Sequence, residues 1–197
     1  MRAAAIREAL SRPWRHGEAL DLRGITLDEV LDLGGLPLSG VDLRGAHLKG
    51  GLIARGARFD GLAWFQGARI DGVTDLSGAL FVMDVRFDDV VFADACLTGA
   101  EFRGTASFKG ARLVSADLER LVCYGNLDVS GVRCSERFTL AGSECLGGIW
   151  AQDCALPADA DFSATEVHGR LWLRRARRGN AAMAVADFGT VFGYSWT

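Results

Sequence analysis

The chain is organised around residues 95–120, which read ACLTG, AEFRG, T, ASFKG, ARLVS and ADLER. Each block has a small residue, then a polar one, then Leu or Phe, then two mostly polar positions. The large apolar residues are Leu97, Phe102, Phe108, Leu113 and Leu118. A five-residue period matches neither the turn of an α-helix nor the alternation of a strand. It indicates stacked repeats, in which each unit buries its apolar residue against its neighbours.

These blocks resemble the pentapeptide repeat, A(D/N)LXX with Leu or Phe at the centre. Close matches are ADLER at 116–120, VDLRG at 41–45 and AEFRG at 100–104, and the resemblance covers roughly residues 21–168. Members of that family fold as a right-handed quadrilateral β-helix, with four blocks per coil and the central residue pointing inward. The resemblance therefore implies an all-β fold, and the number of blocks gives about seven coils.

Continuing the block spacing assigns one inward residue to each block from Leu22 to Val167. Several steps are six residues long, and we interpret them as one-residue bulges at corners. This assignment points Ile53 and Trp150 inward and leaves Trp64 outside. The stretch DCALPADAD at 153–161 breaks the rhythm and is expected to be a loop, a corner insertion or an irregular coil.

The sequence divides into an N-terminal cap at 1–20, a repeat body at 21–169 and a C-terminal tail at 170–197. Ile6 and Leu10 lie on the apolar face of a short helix predicted over 1–11, which Pro13 ends. That helix is expected to cover the first coil, and the alternative is a basic amphipathic membrane anchor.

Charge is distributed unevenly along the chain. The whole sequence has 22 basic and 25 acidic residues, a net charge of −3. Residues 1–15 hold four arginines and one acid, and residues 170–197 hold five arginines and one acid. Residues 16–169 therefore keep 13 basic and 23 acidic residues, a net charge of −10. An acidic body between basic ends favours long-range attraction of a charged partner.

The residue before each inward one should point outward, and every fourth block should share a wall. The first predicted wall, here the aspartate wall, carries Asp32, Leu52, Asp75, Cys96, Asp117, Thr139 and Asp161, with Glu119 beside it. The adjoining glutamate wall carries Glu101, Glu144 and Glu166, interrupted by Arg58. A basic wall carries His47, Arg69, Arg112 and Arg133. Two adjoining acidic walls could partially imitate the phosphate rows of DNA, or could simply solvate the rod.

Enzymatic, cofactor and metal chemistry have little support in the sequence. His16, His47 and His168 lie near no recognisable nucleophile arrangement, and no phosphate-binding loop or HExxH motif occurs. Trp64, Trp150 and Trp172 could line a surface groove, but nothing nearby supplies acid–base chemistry. We therefore predict no catalytic residue, no cofactor and no direct binding of nucleic acid.

Three of the five cysteines, Cys123, Cys134 and Cys145, are spaced by eleven residues. They are expected to pack inward as small apolar residues rather than to bind a metal, since Cys134 should lie on a different wall. An odd number of cysteines, the absence of a long apolar run and the lack of a signal-peptide core predict a cytoplasmic location without membrane contact.

The apolar tail is expected to cover a coil end. Val185, Phe188, Phe192 and Trp196 fall at helical spacing, although Gly189 and Gly193 weaken a long helix. The tail could cover its own last coil or that of a second subunit. The family resemblance implies dimerisation through this end, so a homodimer is predicted.

Two functions compete at this point. The resemblance and the acidic body favour an interaction protein that binds a type II topoisomerase, DNA gyrase or topoisomerase IV, in antibiotic or toxin self-protection. Mixed surface charge favours a structural scaffold or assembly module without a topoisomerase role.

Overall fold

Short strands separated by tight turns wind the chain into a β-solenoid of about eight turns. The computed structural model describes residues 2–197. An all-β solenoid is therefore confirmed, with about one turn more than predicted. Among the described residues, no helix has the length and apolar character needed to cross a membrane.

The strands are numbered in chain order and form three sheets in which nearly all pairs are parallel. The first sheet, which forms the tryptophan wall, contains β1 (Ala19–Asp21), β5 (Gly40–Asp42), β9 (Ala63–Trp64), β12 (Val85–Arg86), β15 (Ala106–Ser107), β18 (Leu127–Asp128), β21 (Gly148–Trp150), β24 (Arg170–Trp172) and β28 (Ser195–Trp196). The second, the glutamate wall, contains β4 (Pro37–Leu38), β8 (Arg58–Phe59), β11 (Leu80–Phe81), β14 (Glu101–Phe102), β17 (Val122–Cys123), β20 (Glu144–Cys145), β23 (Glu166–Val167) and β27 (Thr190–Val191).

The third sheet turns a corner and so forms both the basic and the aspartate walls. It contains β2 (Thr26–Leu27), β3 (Leu31–Asp32), β6 (His47–Leu48), β7 (Leu52–Ile53), β10 (Arg69–Asp75), β13 (Val91–Cys96), β16 (Arg112–Asp117), β19 (Arg133–Thr139), β22 (Ala155–Leu156), β25 (Arg177–Arg178) and β26 (Ala181–Ala182). Strands β25 and β26 pair in antiparallel fashion.

The core is a set of side-chain columns that run through the coils. Phe102 is fully buried, stacks on Phe81 at 5.1 Å between ring centroids and is in register with Cys123. Phe81 in turn stacks on Phe59 at 4.5 Å. The predicted neighbours of Phe102 are therefore confirmed, and the columns leave the interior close-packed.

Glycine permits close approach of neighbouring coils at one corner. A Cβ at Gly125 would lie 2.6 Å from the carbonyl carbon of Gly104 on the preceding coil. Gly147, Gly169 and Gly193 continue this column, each against the glycine one coil before it. Any side chain at these positions would force the coils apart.

Two inward assignments are wrong. Ala54 and Ala151 are the buried central residues, whereas Ile53 is half-buried and Trp150 is exposed. Ile53 pairs with Asp75 in the outward column, and Leu52, expected outside, is fully buried. Both errors have the same cause: a central alanine is smaller than its neighbour, so choosing the largest apolar residue shifts the register by one.

The stretch at 153–161 is part of the regular coil. Strand β22 lies within it and is in register with β19 and β25, and Leu156 points into the core. The loop, corner-insertion and irregular-coil interpretations of this stretch are therefore all wrong.

The N-terminal helix α1 (Ala3–Leu10) lies over the first coil. Its Ile6 and Leu10 side chains are fully buried in the core cluster, and Ser39 donates its backbone N–H to the Leu10 carbonyl at 2.9 Å. The helix therefore covers the coil end, as the lid interpretation predicted.

The solenoid continues beyond the boundary predicted at 169. Strands β24, β25, β27 and β28 each pair in parallel with the preceding coil. The helical spacing predicted for the tail is wrong, because its only helical segment is a 3₁₀ turn at Val185–Asp187 between strands.

Candidate functional site

The aspartate wall exists as an in-register column. Asp32 pairs with Ile53, Ile53 with Asp75 and Asp75 with Cys96. The column continues through Asp117, Thr139 and Asp161. Apart from the exchange of Leu52 for Ile53, the predicted column is confirmed.

Each aspartate of this column stabilises the turn that follows it in its own coil. Asp32 Oδ1 accepts the Gly34 backbone N–H at 2.9 Å, and Asp75 Oδ1 accepts that of Ser77 at 3.0 Å. The N–H groups of Glu119 and Ser163 bond in the same way to Asp117 and Asp161. An aspartate that bonds to the backbone two residues later stabilises a turn. The frequency of Asp at this position therefore has a structural cause that requires no partner.

Most of the aspartate wall is also neutralised within the chain. Arg55 Nη2 lies 2.5 Å from Asp75 Oδ2, and Arg7 lies 3.6 Å from Asp32. Arg137 lies 3.6 Å from Asp117 and 3.4 Å from Glu119. Among the predicted acids of this wall, Asp161 alone has no ion pair within residues 2–197, so the wall presents less negative charge than its sequence indicates.

The environment of Asp75 favours its charged form. Burial alone raises the pKa of this carboxyl, but the Ser77 hydroxyl, the Arg55 guanidinium and the Ser77 backbone N–H together hold the pKa below its ordinary value. The Ser163 backbone N–H and hydroxyl likewise lower the pKa of Asp161.

The glutamate wall has the predicted register. Glu144 pairs with Glu166, and Glu101 is separated from Glu144 by Val122. Glu101 is bound to Arg103 at 3.0 Å. Glu144 and Glu166 instead face His168, whose proximity to Glu166 was visible in the sequence. The contact with Glu144, which lies one coil away, could be recognised only by combining register with sequence spacing.

The basic wall is also arranged as predicted. His47, Arg69, Arg112 and Arg133 occupy one in-register column with Val91 between them. His47 and Arg69 both contact Asp71. Charges of both signs therefore meet at the corner between the basic and aspartate walls.

The tail residues predicted for dimerisation separate into two groups. Phe188 is buried and packs on Phe162 with ring centroids 4.9 Å apart, and Val185 packs against the core, so both cover their own last coil. Phe192 and Trp196 are exposed and stack on His168 and Trp172 of the preceding coil.

The tryptophan wall has a surface groove of ≈ 910 Å³ beside Trp150, in the middle coils. Its floor includes Ser107 and Asp128. Trp150 is in register with Trp172 and Trp196, which lie toward the C-terminal end, whereas Trp64 lies elsewhere and stacks under Arg44. Of the three tryptophans predicted to line a surface groove, Trp150 alone lines this one.

The cysteines are unsuited to nucleophilic chemistry. Burial raises the pKa of Cys123 and Cys154 to about 11, which keeps both thiols protonated at neutral pH. Cys123 and Cys145 lie in the glutamate wall and Cys134 in the third sheet, so the three do not converge on one site.

Two family models match the chain. One described as Pentapeptide repeats (9 copies) matches residues 37–80 and 54–97, and another described as Pentapeptide repeats (8 copies) matches residues 86–120. A search of curated proteins found no match.

Proposed function

Because the chain belongs to the pentapeptide-repeat family, we propose that it is a non-enzymatic interaction protein that self-associates through its C-terminal end and binds a protein partner on its outer walls. Close packing of the inward columns leaves function to the surface and the ends. Proteins of this fold are typically structural or interaction proteins.

The observation that carries the proposal is a set of three exposed aromatic residues at the C-terminal end. Phe192, Tyr194 and Trp196 are 63%, 80% and 58% exposed. They lie on or beside β27 and β28, each the outermost strand of its sheet. Exposed aromatic side chains beside unpaired strand edges favour association with another chain. A second copy is the occupant we propose, because identical ends can pair by a two-fold axis.

The arginine cluster of residues 170–178 does not prevent such pairing. Arg175 is paired with Asp153, and Arg178 Nη2 lies 3.2 Å from Asp187 Oδ1. Two of the five positive charges are thus compensated within the chain, which reduces repulsion between two copies.

The partner that we propose for the walls is a type II topoisomerase, in antibiotic or toxin self-protection. Support comes from the net charge of −10 over residues 16–169 and from the adjoining aspartate and glutamate walls. An acidic surface accelerates encounter with the positively charged groove of a DNA-handling enzyme. The internal ion pairs of Asp75 and Asp117 limit any mimicry of DNA, and they favour a scaffold role as the second candidate.

Gyrase supercoiling assays separate these two functions. We expect the chain at micromolar concentration to alter supercoiling, or to protect the enzyme from a fluoroquinolone. We expect the double variant Asp161→Asn, Glu101→Gln to bind more weakly and with a flatter salt dependence, since exposed charges are screened within about 8–10 Å. Asn at 161 retains the corner hydrogen bond, so the fold should persist.

Asp159→Asn, another exposed acid on the same coil, is the matched control and should bind like the wild type. If wild type leaves supercoiling and drug sensitivity unchanged, the topoisomerase proposal is wrong and the scaffold role remains. A pull-down from the native host that recovers an unrelated partner would support that second candidate.

A further inference from the structure

Three metal-ligating side chains converge on the glutamate wall near the C-terminal end. His168 Nε2 lies 3.3 Å from Glu144 Oε1 and 3.5 Å from Glu166 Oε2. One ligating atom from each residue lies within 4.8 Å of the other two. Glu144 and Glu166 are register partners on consecutive coils, and His168 follows Glu166 on the same coil.

Two of the three distances between ligand atoms fit a tetrahedral cation. Zinc binds imidazole nitrogen and carboxylate oxygen at about 2.0–2.2 Å, so two ligand atoms of one tetrahedron lie about 3.3–3.6 Å apart. Both distances from the histidine nitrogen fall in this range. The two glutamate side chains are about half exposed, which leaves their carboxylates free to adjust.

A second observation concerns His168 Nε2 itself. The His168 side chain is 34% exposed, but this atom is covered from solvent, and the two carboxylates at 3.3 and 3.5 Å form no well-aligned hydrogen bond with it. Buried polar atoms without a partner are uncommon in folded proteins, and a bound ion can supply the missing partner. Phe192 stacks on the imidazole ring at 4.7 Å between ring centroids and holds its orientation.

A positive charge between the two glutamates would stabilise this part of the sheet. Like charges directly opposite each other on adjacent strands destabilise a sheet. Within residues 2–197, the basic atom that contacts both carboxylates is His168 Nε2. A divalent cation would compensate both negative charges and use the lone pair of a neutral imidazole.

We propose that Glu144, Glu166 and His168 bind a divalent transition-metal ion of the zinc class. The ion joins the coil of β20 to the coil of β23, and three protein ligands leave a fourth position open to water. Its role is to stabilise the C-terminal coils, and it does not depend on the proposed partner or on self-association.

Calorimetric titration of the metal-free full chain with ZnCl₂ near neutral pH tests the site. We expect one saturable site per chain and a rise in melting temperature with zinc, because a ligand that binds only the folded state stabilises it. Glu166→Gln and His168→Asn should each weaken binding by at least about tenfold. Co²⁺ provides a second readout, since a tetrahedral site gives visible absorption bands that both variants should lose.

The controls are His47→Asn, Glu101→Gln and Cys96→Ser. His47 forms the other histidine–acid pair with Asp71 at 2.6 Å, Glu101 lies on the same wall, and Cys96 is the one cysteine that is not fully buried. All three variants should bind zinc like the wild type. The proposal is overturned if wild type shows no saturable site, or if binding is lost in a control and kept in Glu166→Gln.

Discussion

The two ends of the solenoid are closed in different ways. At the N-terminal end, α1 buries Ile6 and Leu10 over the first coil, and Arg7 Nη1 donates to the Asp32 carbonyl at 2.6 Å. At the C-terminal end, Met183 and Phe188 fill the interior of the last coil, but Phe192 and Trp196 remain exposed beside the outer edges of β27 and β28.

Filling the core and covering the strand edges are therefore separate requirements of this fold. Coils between the ends satisfy both, because each has a neighbour above and below. The N-terminal end fills its core with a helix and covers part of its edge, since that helix bonds to Asp32 and Ser39. The C-terminal end fills its core but leaves aromatic side chains exposed beside open strand edges, and so we propose it as the end at which stacking continues with another chain.

The largest expected effect compares the middle of the core with its C-terminal end. Phe102→Ala should lower the free energy of unfolding by about 3–5 kcal/mol, because it removes a buried ring that contacts the coils on both sides. Phe188→Ala should cost less, because Phe188 packs on Phe162 from one side. Chemical denaturation measures both losses. A loss below about 1 kcal/mol for Phe102→Ala would contradict the register.

The next prediction concerns the N-terminal lid. Leu10→Ala should lower the free energy of unfolding by about 2–5 kcal/mol, because Leu10 is fully buried against the first coil. Ala5→Ser, at an exposed position of the same helix, is the control and should cost about 0.5 kcal/mol. Equal melting temperatures for Leu10→Ala and wild type would show that α1 does not act as a lid.

A smaller effect on stability is expected from a substitution in the aspartate wall, which runs between the two ends. The pKa of Asp75 is lower in the folded chain than in the unfolded one, so its contribution is present above the unfolded pKa of about 3.9 and is lost as pH falls through the folded value. Asp75→Asn should cost about 1–3 kcal/mol at neutral pH. It should also flatten the fall in melting temperature below about pH 4.

Asp159→Asn is the exposed control for this measurement and should leave the pH profile unchanged. If Asp75→Asn and wild type lose stability in parallel on acidification, the ion pair with Arg55 contributes nothing to folding.

Sequence periodicity identified the inward residue of a block correctly wherever that central residue was larger than its neighbours. It placed Phe102 between Phe81 and Cys123, and it ordered the charged columns of three walls. It failed at Ala54 and Ala151, where the central residue is small. It could not reveal that Arg55 and Arg137 neutralise the aspartate wall, since side-chain conformation decides those contacts.

The tail shows a different kind of error. Phe188, Phe192 and Trp196 are spaced like one face of a helix, but Gly193 lies against the backbone of Gly169 and continues the glycine column of the coils. That column was the signal of a further coil in the sequence. The spacing of the aromatic residues favoured a helix instead, but the same spacing also occurs in the coils of a solenoid.

The central claim, self-association through the C-terminal end, is tested most directly by light scattering of the intact chain at about 10 μM. We expect a dimer for wild type and a monomer for the double variant Tyr194→Lys, Trp196→Lys, because both side chains are exposed and new charges would oppose each other across the two-fold axis. Tyr124→Lys, which changes an exposed tyrosine of a middle coil, should remain dimeric. A wild-type chain that scatters as a monomer at this concentration would contradict the claim.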